Sequence, residues 1–224
     1  MTQDKPSQPM RRGDALRWLQ ARLRPRAGRT LVGIDGVDGS GKTAFADDLG
    51  TLLREAGTRV IRISLDHFLN PAEVRHARGR TSAEGFYQDS YNYVRFVDEV
   101  LEPLSHEGSG RYRTAAYDLA HEQPVASPWE VAPDHAVVVV DGMFLHRDTM
   151  RNSRDKKIWD LSVWLEVPFE VSVKRLAERD GTSPDPNDPS NARYVQGQRL
   201  YIEQCDPAAR ADLVVDNVGP REPV

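Results

Sequence analysis

Apolar residues along the chain fall into two patterns: short continuous runs, and longer stretches in which they recur every three or four positions. The continuous runs are typical of buried strands, and they cover residues 30–35, 59–65, 136–142, 158–165 and 211–216. The periodic stretches predict helices over residues 10–24, 43–56, 92–104 and 168–179. Strands that alternate with helices in this way predict an α/β fold with a central parallel sheet.

Two regions interrupt this alternation. Residues 111–118 alternate enough to predict a further strand, and residues 123–126 could be its hairpin partner. We therefore expect a small hairpin excursion beside the sheet. Residues 181–190 are rich in proline, and this composition predicts a loop that is not helical.

Composition limits the class of protein. The chain has 224 residues, of which 39% are hydrophobic, enough for one globular domain with a core. We expect that domain to span residues 10–217, between a disordered tail at 1–9 and a second tail at 218–224. A formal net charge of −4 gives no basic excess for nucleic acid. No apolar segment is long enough to span a bilayer and no signal peptide is evident, so we expect a cytoplasmic protein without a membrane partner.

The stretch from Gly36 to Thr43 fits G-x-x-x-x-G-K-[ST], the phosphate-binding P-loop, and it lies between a predicted strand and a predicted helix. Its glycines let the backbone curl so that N–H groups point at phosphate oxygens, and the helix N-terminus adds a positive dipole end. Lys42 is expected to hold the β- and γ-phosphates, and Thr43 to ligate Mg²⁺. The expected ATP-binding residues are Gly36, Asp38, Gly39, Ser40, Gly41, Lys42 and Thr43.

Two aspartates follow predicted strands. Ligands bind at the carboxyl ends of strands in an open parallel sheet, so both should lie at the P-loop edge. Asp141 follows four valines in a Walker B pattern and is expected to hold Mg²⁺ together with Thr43. Asp66 is a candidate catalytic and substrate-binding residue, because a carboxylate there can accept a proton from a hydroxyl that attacks the γ-phosphate. The alternative for Asp66 is a turn or helix N-cap aspartate.

Candidate acceptor-side residues lie between the second and third predicted strands. Aromatic side chains near residue 90, among them Tyr91, could stack on a planar substrate, or they could belong to the core. Asp118, His121 and Glu122 could hydrogen-bond a polyol, or they could form an ordinary solvated hairpin turn.

Arginines flank the proline-rich loop. Arg175 and Arg179 precede it on one helical face, and Arg193 and Arg199 follow it. This arrangement predicts a mobile lid over about residues 180–195 that closes over ATP, excludes water and presents guanidinium groups to the phosphoryl group. Arg175 and Arg179, with Lys42, are the candidates for catalysis. Salt-bridged surface helices are the alternative.

With these motifs in this order, the chain resembles the uridine kinase-like branch of the P-loop kinases, which also includes phosphoribulokinase and pantothenate kinase. The resemblance runs from about Arg29 to Asn217. It implies a three-layer P-loop NTPase fold and assigns Asp66 as the catalytic base. The segments that carry it are residues 33–43, 64–68, 117–118, 175–180 and 210–217.

The acceptor side departs from the family pattern. Tyr117 begins the segment that resembles the family's substrate-binding Y-D-F-x-x-H stretch, but Leu119 stands where an aromatic is usual. His121 lies one residue earlier than the family histidine, and Asp141 replaces the usual glutamate. The resemblance adds Tyr117 and His121 to the expected substrate-binding residues, and Arg199 after the proline-rich loop is expected among them as well.

These observations predict an ATP-dependent small-molecule kinase with Mg²⁺ as its metal. The leading acceptor is the 5′-hydroxyl of uridine or cytidine. Alternative acceptors are a sugar, a phosphosugar, pantothenate or nicotinamide riboside, and a non-catalytic ATP-binding regulatory protein is the alternative from another class. No N/T-K-x-D segment follows Asp141, which argues against a GTPase. The expected partners are a nucleotide and a small acceptor, and a homo-oligomer remains open.

Overall fold

The computed structural model describes residues 5–23, 27–150 and 158–219. Strands in these ranges are, in chain order, β1 (Met10–Arg11), β2 (Arg29–Gly36), β3 (Val60–Ser64), β4 (Arg111–Tyr112), β5 (Tyr117–Asp118), β6 (Gln123–Pro124), β7 (Glu130–Val131), β8 (Ala136–Asp141), β9 (Leu161–Glu166) and β10 (Leu213–Asp216). Six of them form one parallel sheet in the order β1-β10-β9-β2-β8-β3. The predicted parallel α/β sheet is therefore confirmed.

Helices pack on both faces of this sheet. In chain order they are α1 (Arg12–Arg22), α2 (Lys42–Glu55), α3 (Ala72–Arg75), α4 (Ala83–Asp89), α5 (Tyr93–Phe96), α6 (Glu102–Leu104), α7 (Phe169–Asp180), α8 (Ala192–Cys205) and α9 (Pro207–Arg210). Short 3-10 helices cover Leu65–Phe68 and Pro189–Asn191, and a π-helical turn covers Val97–Leu101. None of the helices in the described ranges combines the length and apolarity needed to span a bilayer.

Two hydrophobic cores, one on each face of the sheet, give the fold its three layers. On one face, α2 buries Phe45, Leu49 and Leu53, which recur every four residues as the periodic pattern predicts. Each such side chain contributes roughly 1.5–3 kcal/mol on burial. The opposite core contains aromatic side chains, including Phe144 and Tyr201. The P-loop, Asp141 at the end of β8 and Asp66 just after β3 are thus held at the sheet edge by packing on both sides.

The hairpin excursion differs in part from its prediction. β5 pairs with β6 as expected, but β4 pairs with β7, so residues 111–118 are not one strand. Ser127 explains the break, since its hydroxyl donates to Ala115 O and accepts from Ala115 N in place of hydrogen bonds to a neighbouring strand.

Three other departures from the predicted elements involve proline. Residues 93–104 are helical, with Asn92 as the N-cap, but they contain the π turn, because Pro103 has no N–H and Glu99 O accepts from Arg113 N instead. Pro168 is the N-cap of α7 rather than its first residue. The loop at 181–190, predicted not to be helical, overlaps the 3-10 helix at Pro189–Asn191.

The predicted tails lie largely outside the described ranges. Residues 1–4 and 220–224 are not described, and within residues 5–9 the Lys5 ammonium donates to Ala209 O at 2.7 Å.

Candidate active site

The loop between β2 and α2 needs its glycines. Gly39 and Gly41 have φ angles of +74° and +88°, in the left-handed region that favours glycine. A Cβ atom on Gly39 would lie 2.4 Å from Ser172 O, and one on Gly36 would lie 2.5 Å from Ser40 Oγ. Each contact is too short for a carbon atom, so the loop backbone could not take this path with larger residues.

The start of α2 fits an anionic ligand. The helix has no side-chain cap and no acidic residue in its first turn, so its first N–H groups are available to phosphate oxygens. Within the described residues, Ser40 Oγ is buried without a hydrogen-bond partner. The Lys42 ammonium donates to Val37 O at 2.9 Å, which keeps this cation over the loop. These residues fit the triphosphate of a nucleotide.

Thr43 and Asp141 meet at the same edge. Thr43 Oγ1 donates to Asp141 Oδ2 at 2.8 Å, and Asp141 is buried. Arg62 Nη2 pairs with the other carboxylate oxygen at 3.0 Å. In the described ranges no three His, Cys, Asp or Glu side chains form a metal cluster. Mg²⁺ bound to a nucleotide usually takes only one or two protein ligands, and Thr43 beside Asp141 fits that pattern.

Asp66 lies in the 3-10 helix directly after β3, with an exposed carboxylate. The Tyr91 hydroxyl donates to Asp66 Oδ1 at 2.8 Å. Burial, and next the charge of Asp66, raise the pKa of Tyr91 well above its ordinary value. Tyr91 therefore stays protonated and keeps one carboxylate oxygen of Asp66 hydrogen-bonded. Two residues predicted for the acceptor side are thus brought together.

Of the four predicted lid arginines, the two expected to act in catalysis have different surroundings. Arg179 makes two hydrogen bonds of 2.7 Å to Asp180. Its pKa is raised mainly by Asp180, with further contributions from the charges of Asp38 and Asp66, so its guanidinium lies within electrostatic reach of both. Arg175 instead donates to backbone carbonyls, with Val218 O at 2.8 Å, Asn217 O at 3.0 Å and Gly39 O at 3.5 Å. It ties the P-loop to the chain after β10.

Tyr117 takes part in a small polar cluster. Its hydroxyl donates to Glu122 Oε2 at 2.8 Å, and Arg75 Nη2 lies 2.6 Å from the same oxygen. Arg75 and next Tyr117 lower the pKa of Glu122, so this carboxylate stays charged. Glu122 has φ of +49°, a strained value for a residue with a side chain. Ala116 N donates to His67 O, which places the cluster beside the helical turn that carries Asp66.

His121 and Arg199 lie on exposed surfaces. His121 Nδ1 is 2.7 Å from Asp118 Oδ2 at the hairpin turn. The Arg199 guanidinium lies over the Phe169 ring, 5.5 Å from its centroid. In this conformation no contact joins either side chain to Asp66 within the described residues, and their substrate-binding role remains a prediction. So does the mobility of the segment at 180–195.

Sequence reasoning missed two charged groups of the site. Arg62 is one of them. The available signal was its position as a cation inside an apolar strand, because a cation there needs an acidic partner. Asp35 is the other: its carboxylate is completely buried and accepts from Gly36 N at 2.8 Å, from Leu145 N at 2.9 Å and from the Tyr201 hydroxyl. His146 Nδ1 lies 2.8 Å from it. An aspartate immediately before the P-loop in an apolar strand was the available signal.

Comparison with known proteins assigns the chain to a family. A sequence model of the phosphoribulokinase/uridine kinase family matches residues 31–188. The chain belongs to this family. Membership makes the protein a kinase, a phosphotransferase with a hydroxyl acceptor, and confirms the resemblance described above.

Individual relatives of this kinase are distant. A uridine kinase of Leuconostoc citreum is 26% identical over 150 residues, which cover 67% of this chain and 68% of the relative. Human nicotinamide riboside kinase 1 is 26% identical over 155 residues, which cover 69% of this chain and 67% of that protein. The structure of a possible uridine kinase from Bacillus stearothermophilus superposes with a TM-score of 0.70 at 22% identity, covering 91% of this chain and 98% of that one. The last comparison shows the shared fold.

Proposed function

We propose that this kinase transfers the γ-phosphoryl group of MgATP to the 5′-hydroxyl of a ribonucleoside, with uridine or cytidine as the leading acceptor. The observation that carries the proposal is the Asp66 carboxylate, exposed and held by Tyr91 at the sheet edge where the P-loop and Asp141 also lie. A carboxylate in that position has an oxygen free to receive the proton of an attacking hydroxyl.

The nucleotide side is argued from α2 and the loop before it. MgATP, when bound, supplies the phosphoryl group and a metal charge that offsets the charge of its phosphates. Lys42 and the uncapped N–H groups of α2 would hold the phosphate oxygens. Thr43 would be the protein ligand of Mg²⁺. Asp141 would orient Thr43 through the hydrogen bond between them, and Arg62 would hold Asp141.

On the acceptor side, Asp66 would take the proton of the 5′-hydroxyl while the hydroxyl oxygen forms a bond to the γ-phosphorus. The bond from that phosphorus to the bridging oxygen breaks, and ADP leaves. Tyr91, as a permanent donor, would keep Asp66 in one orientation. Arg179 would offset charge on the transferred group, because it already lies within electrostatic reach of Asp38 and Asp66.

A second candidate acceptor is nicotinamide riboside. The human kinase named for that substrate is as similar to this chain, at 26% identity, as the uridine kinase of Leuconostoc citreum. Both candidates carry a ribose with a primary 5′-hydroxyl, so the same mechanism serves either one.

The test is ADP release from MgATP with a panel of acceptors: uridine, cytidine, the other nucleosides, nicotinamide riboside, pantothenate, ribulose 5-phosphate and simple sugars. Phosphorylated products are identified by mass spectrometry. Stimulation by uridine or cytidine with a 5′-monophosphate product supports the leading proposal, and stimulation by nicotinamide riboside alone favours the second candidate. Stimulation only by a compound without ribose would overturn the ribonucleoside proposal but would leave the kinase assignment in place. ATP hydrolysis that none of these compounds stimulates would favour a nucleotide-binding regulator.

A further inference from the structure

Helix α8 presents buried polar side chains to the segments on both sides of the candidate transfer site. Arg193, Gln198 and Tyr201 are 6%, 4% and 2% exposed, respectively. Buried polar groups on a helix are expensive unless they are hydrogen-bonded, and each of these three is bonded to a segment of the site. The helix therefore has more than a packing role.

Gln198 contacts the P-loop itself. Its Nε2 donates to Tyr194 O, one turn back, at 3.0 Å, which fixes the amide so that Oε1 faces the loop. Oε1 accepts from Asp38 N at 2.5 Å. The Asp38 carboxylate in turn accepts from Gly39 N at 2.9 Å. A single side chain of α8 thus holds the backbone amide of Asp38, whose carboxylate, like that of Asp66, helps to raise the pKa of both Tyr91 and Arg179.

Tyr201 lies one turn further along α8 and holds the start of the same loop. Its hydroxyl donates to the buried carboxylate of Asp35 and accepts from His146 N at 3.0 Å. Asp35 holds Gly36 N. The loop is therefore attached to α8 at two points, before and after Val37.

The other end of α8 is fixed to the acceptor side. The Arg193 guanidinium donates to the carbonyls of Arg75, Gly79, Arg80 and Ser82 at 2.8–3.2 Å. Gly197 lets α4 approach closely, because a Cβ atom there would lie 2.7 Å from Ala83 O. Tyr91 follows α4 in the chain and holds Asp66. One helix thus joins the nucleotide loop to the segment that orients the candidate base.

We propose that Gln198 is a positioning residue for phosphoryl transfer. Through it, α8 sets the distance between the Asp38 part of the P-loop and Asp66, and so the alignment of the two reacting groups. The inference rests on the proposed function for its kinetic effect, but the contact between Gln198 and Asp38 is testable without any acceptor. Misplacement of reacting groups by about 1 Å can lower a rate by roughly 100-fold, so kcat is the parameter this residue should control.

Two substitutions separate positioning from general packing. Gln198→Met keeps the length of the side chain and removes the acceptor oxygen. Gln198→Glu keeps an acceptor oxygen for Asp38 N whether or not it is ionised. Gln196→Met is the matched control, since Gln196 is the same residue type on the exposed face of α8.

The experiment measures two quantities on the full chain of each variant: hydrogen exchange of the Asp38 amide by NMR, and kcat and KM for MgATP with the best acceptor from the panel. In Gln198→Met we expect Asp38 exchange to rise at least about 10-fold. We also expect kcat to fall roughly 10–100-fold, with the KM for MgATP within about threefold of wild type. Gln198→Glu should keep kcat within about threefold and raise the KM, because added negative charge opposes phosphate binding. Gln196→Met should match wild type.

Equal Asp38 exchange in Gln198→Met and Gln196→Met would overturn the inference, even if no acceptor is found. A kcat loss in Gln198→Glu as large as in Gln198→Met would also overturn it, because the retained oxygen would then have no effect. If the wild type itself is not stimulated by any ribonucleoside, the proposed function fails, and the exchange measurement still decides whether Gln198 holds the loop.

Discussion

Thr43 Oγ1 donates to Asp141 Oδ2 at 2.8 Å, although the two residues are 98 positions apart in the chain. Sheet register brings them together. β2 and β8 pair in parallel with Ile34 opposite Asp141, so the carboxylate emerges at the edge where β2 turns into the P-loop. Arg62 reaches the other oxygen of Asp141 from β3, the next strand, where Ser64 is opposite Asp141. Three neighbouring strands thus build the proposed metal site.

Asp141→Asn should weaken Mg²⁺ binding through Thr43. The amide can still accept from Thr43, but the negative charge and the ion pair with Arg62 are lost. Changes to residues that hold a metal ligand typically lower metal affinity 10–100-fold, and we expect the Mg²⁺ concentration for half-maximal nucleotide binding to rise by about 10-fold. Calorimetric ATP titrations with and without Mg²⁺ measure this. Asp47→Asn is the control, because Asp47 also pairs with Arg62 but has an exposed carboxylate, and the Thr43 hydroxyl donates to Asp141 instead. An identical Mg²⁺ response in Asp141→Asn and wild type would remove Asp141 from the site.

Lys42→Ala should lose catalysis and weaken ATP binding. Removing one group that stabilises transition-state charge costs on the order of 100–1,000-fold in kcat. Lys174→Ala, on the exposed face of α7, is the matched control. Steady-state turnover and calorimetric ATP affinity test the prediction together. Unchanged affinity and rate in Lys42→Ala would contradict the P-loop assignment.

The P-loop, Asp66 and Asp141 could be predicted from the sequence, because each follows a recognisable strand and strand ends share one edge of a parallel sheet. The partners of Arg62 and Gln198 could not, since both partners are distant in the chain. Only sheet register brings Arg62 to Asp141, and only the packing of α8 against the loop brings Gln198 to Asp38. Periodicity records neither of these relationships.

The hairpin shows a similar limit. Alternation over residues 111–118 correctly predicts extended chain at both ends of that range. It does not predict that Ser127 hydrogen-bonds to both backbone groups of Ala115 and so divides the range between two partners. Strand pairing depends on such long-range contacts, which a local pattern does not record.

Asp35→Ala should destabilise the fold. The substitution would leave the Leu145 amide and the Tyr201 hydroxyl buried without their acceptor. Removing one partner from a buried charged network costs about 3–5 kcal/mol. For a chain of this size that corresponds to a fall in Tm of roughly 10 °C. Thermal unfolding followed by circular dichroism measures it. Asp35→Asn keeps one acceptor oxygen and should lose less stability than Asp35→Ala. An Asp35→Ala protein as stable as wild type would contradict the proposed role of this network.

Stability should fall above about pH 10, because six tyrosines have a pKa raised above the ordinary value of 10.0 in the folded state: Tyr87, to about 12, and Tyr91, Tyr93, Tyr112, Tyr117 and Tyr201. Burial is the largest cause for each. The folded chain then binds more protons than the unfolded chain, so the free energy of unfolding decreases as the pH rises, by up to about 1.4 kcal/mol per pH unit for each buried tyrosine. Below pH 10 both states are protonated and this dependence is absent.

Urea unfolding at pH 8, 10 and 11, with tyrosinate absorbance as a second signal, tests this dependence. In Tyr201→Phe, the free energy of unfolding should fall less steeply with rising pH than in wild type. A free energy of unfolding that stays constant to pH 11 would contradict the assignment of these tyrosines as protonated in the folded state.

The central claim is that Asp66 accepts the proton of the attacking hydroxyl, and the most direct measurement compares Asp66→Asn with wild type for acceptor-dependent ADP release and for MgATP affinity. We predict that turnover falls by roughly 100- to 10,000-fold while MgATP affinity stays within about twofold. Asp98→Asn, at an exposed position of the π-helical turn, should behave as wild type. Turnover by Asp66→Asn within a few-fold of wild type would contradict the claim and require another group at the sheet edge to accept the proton.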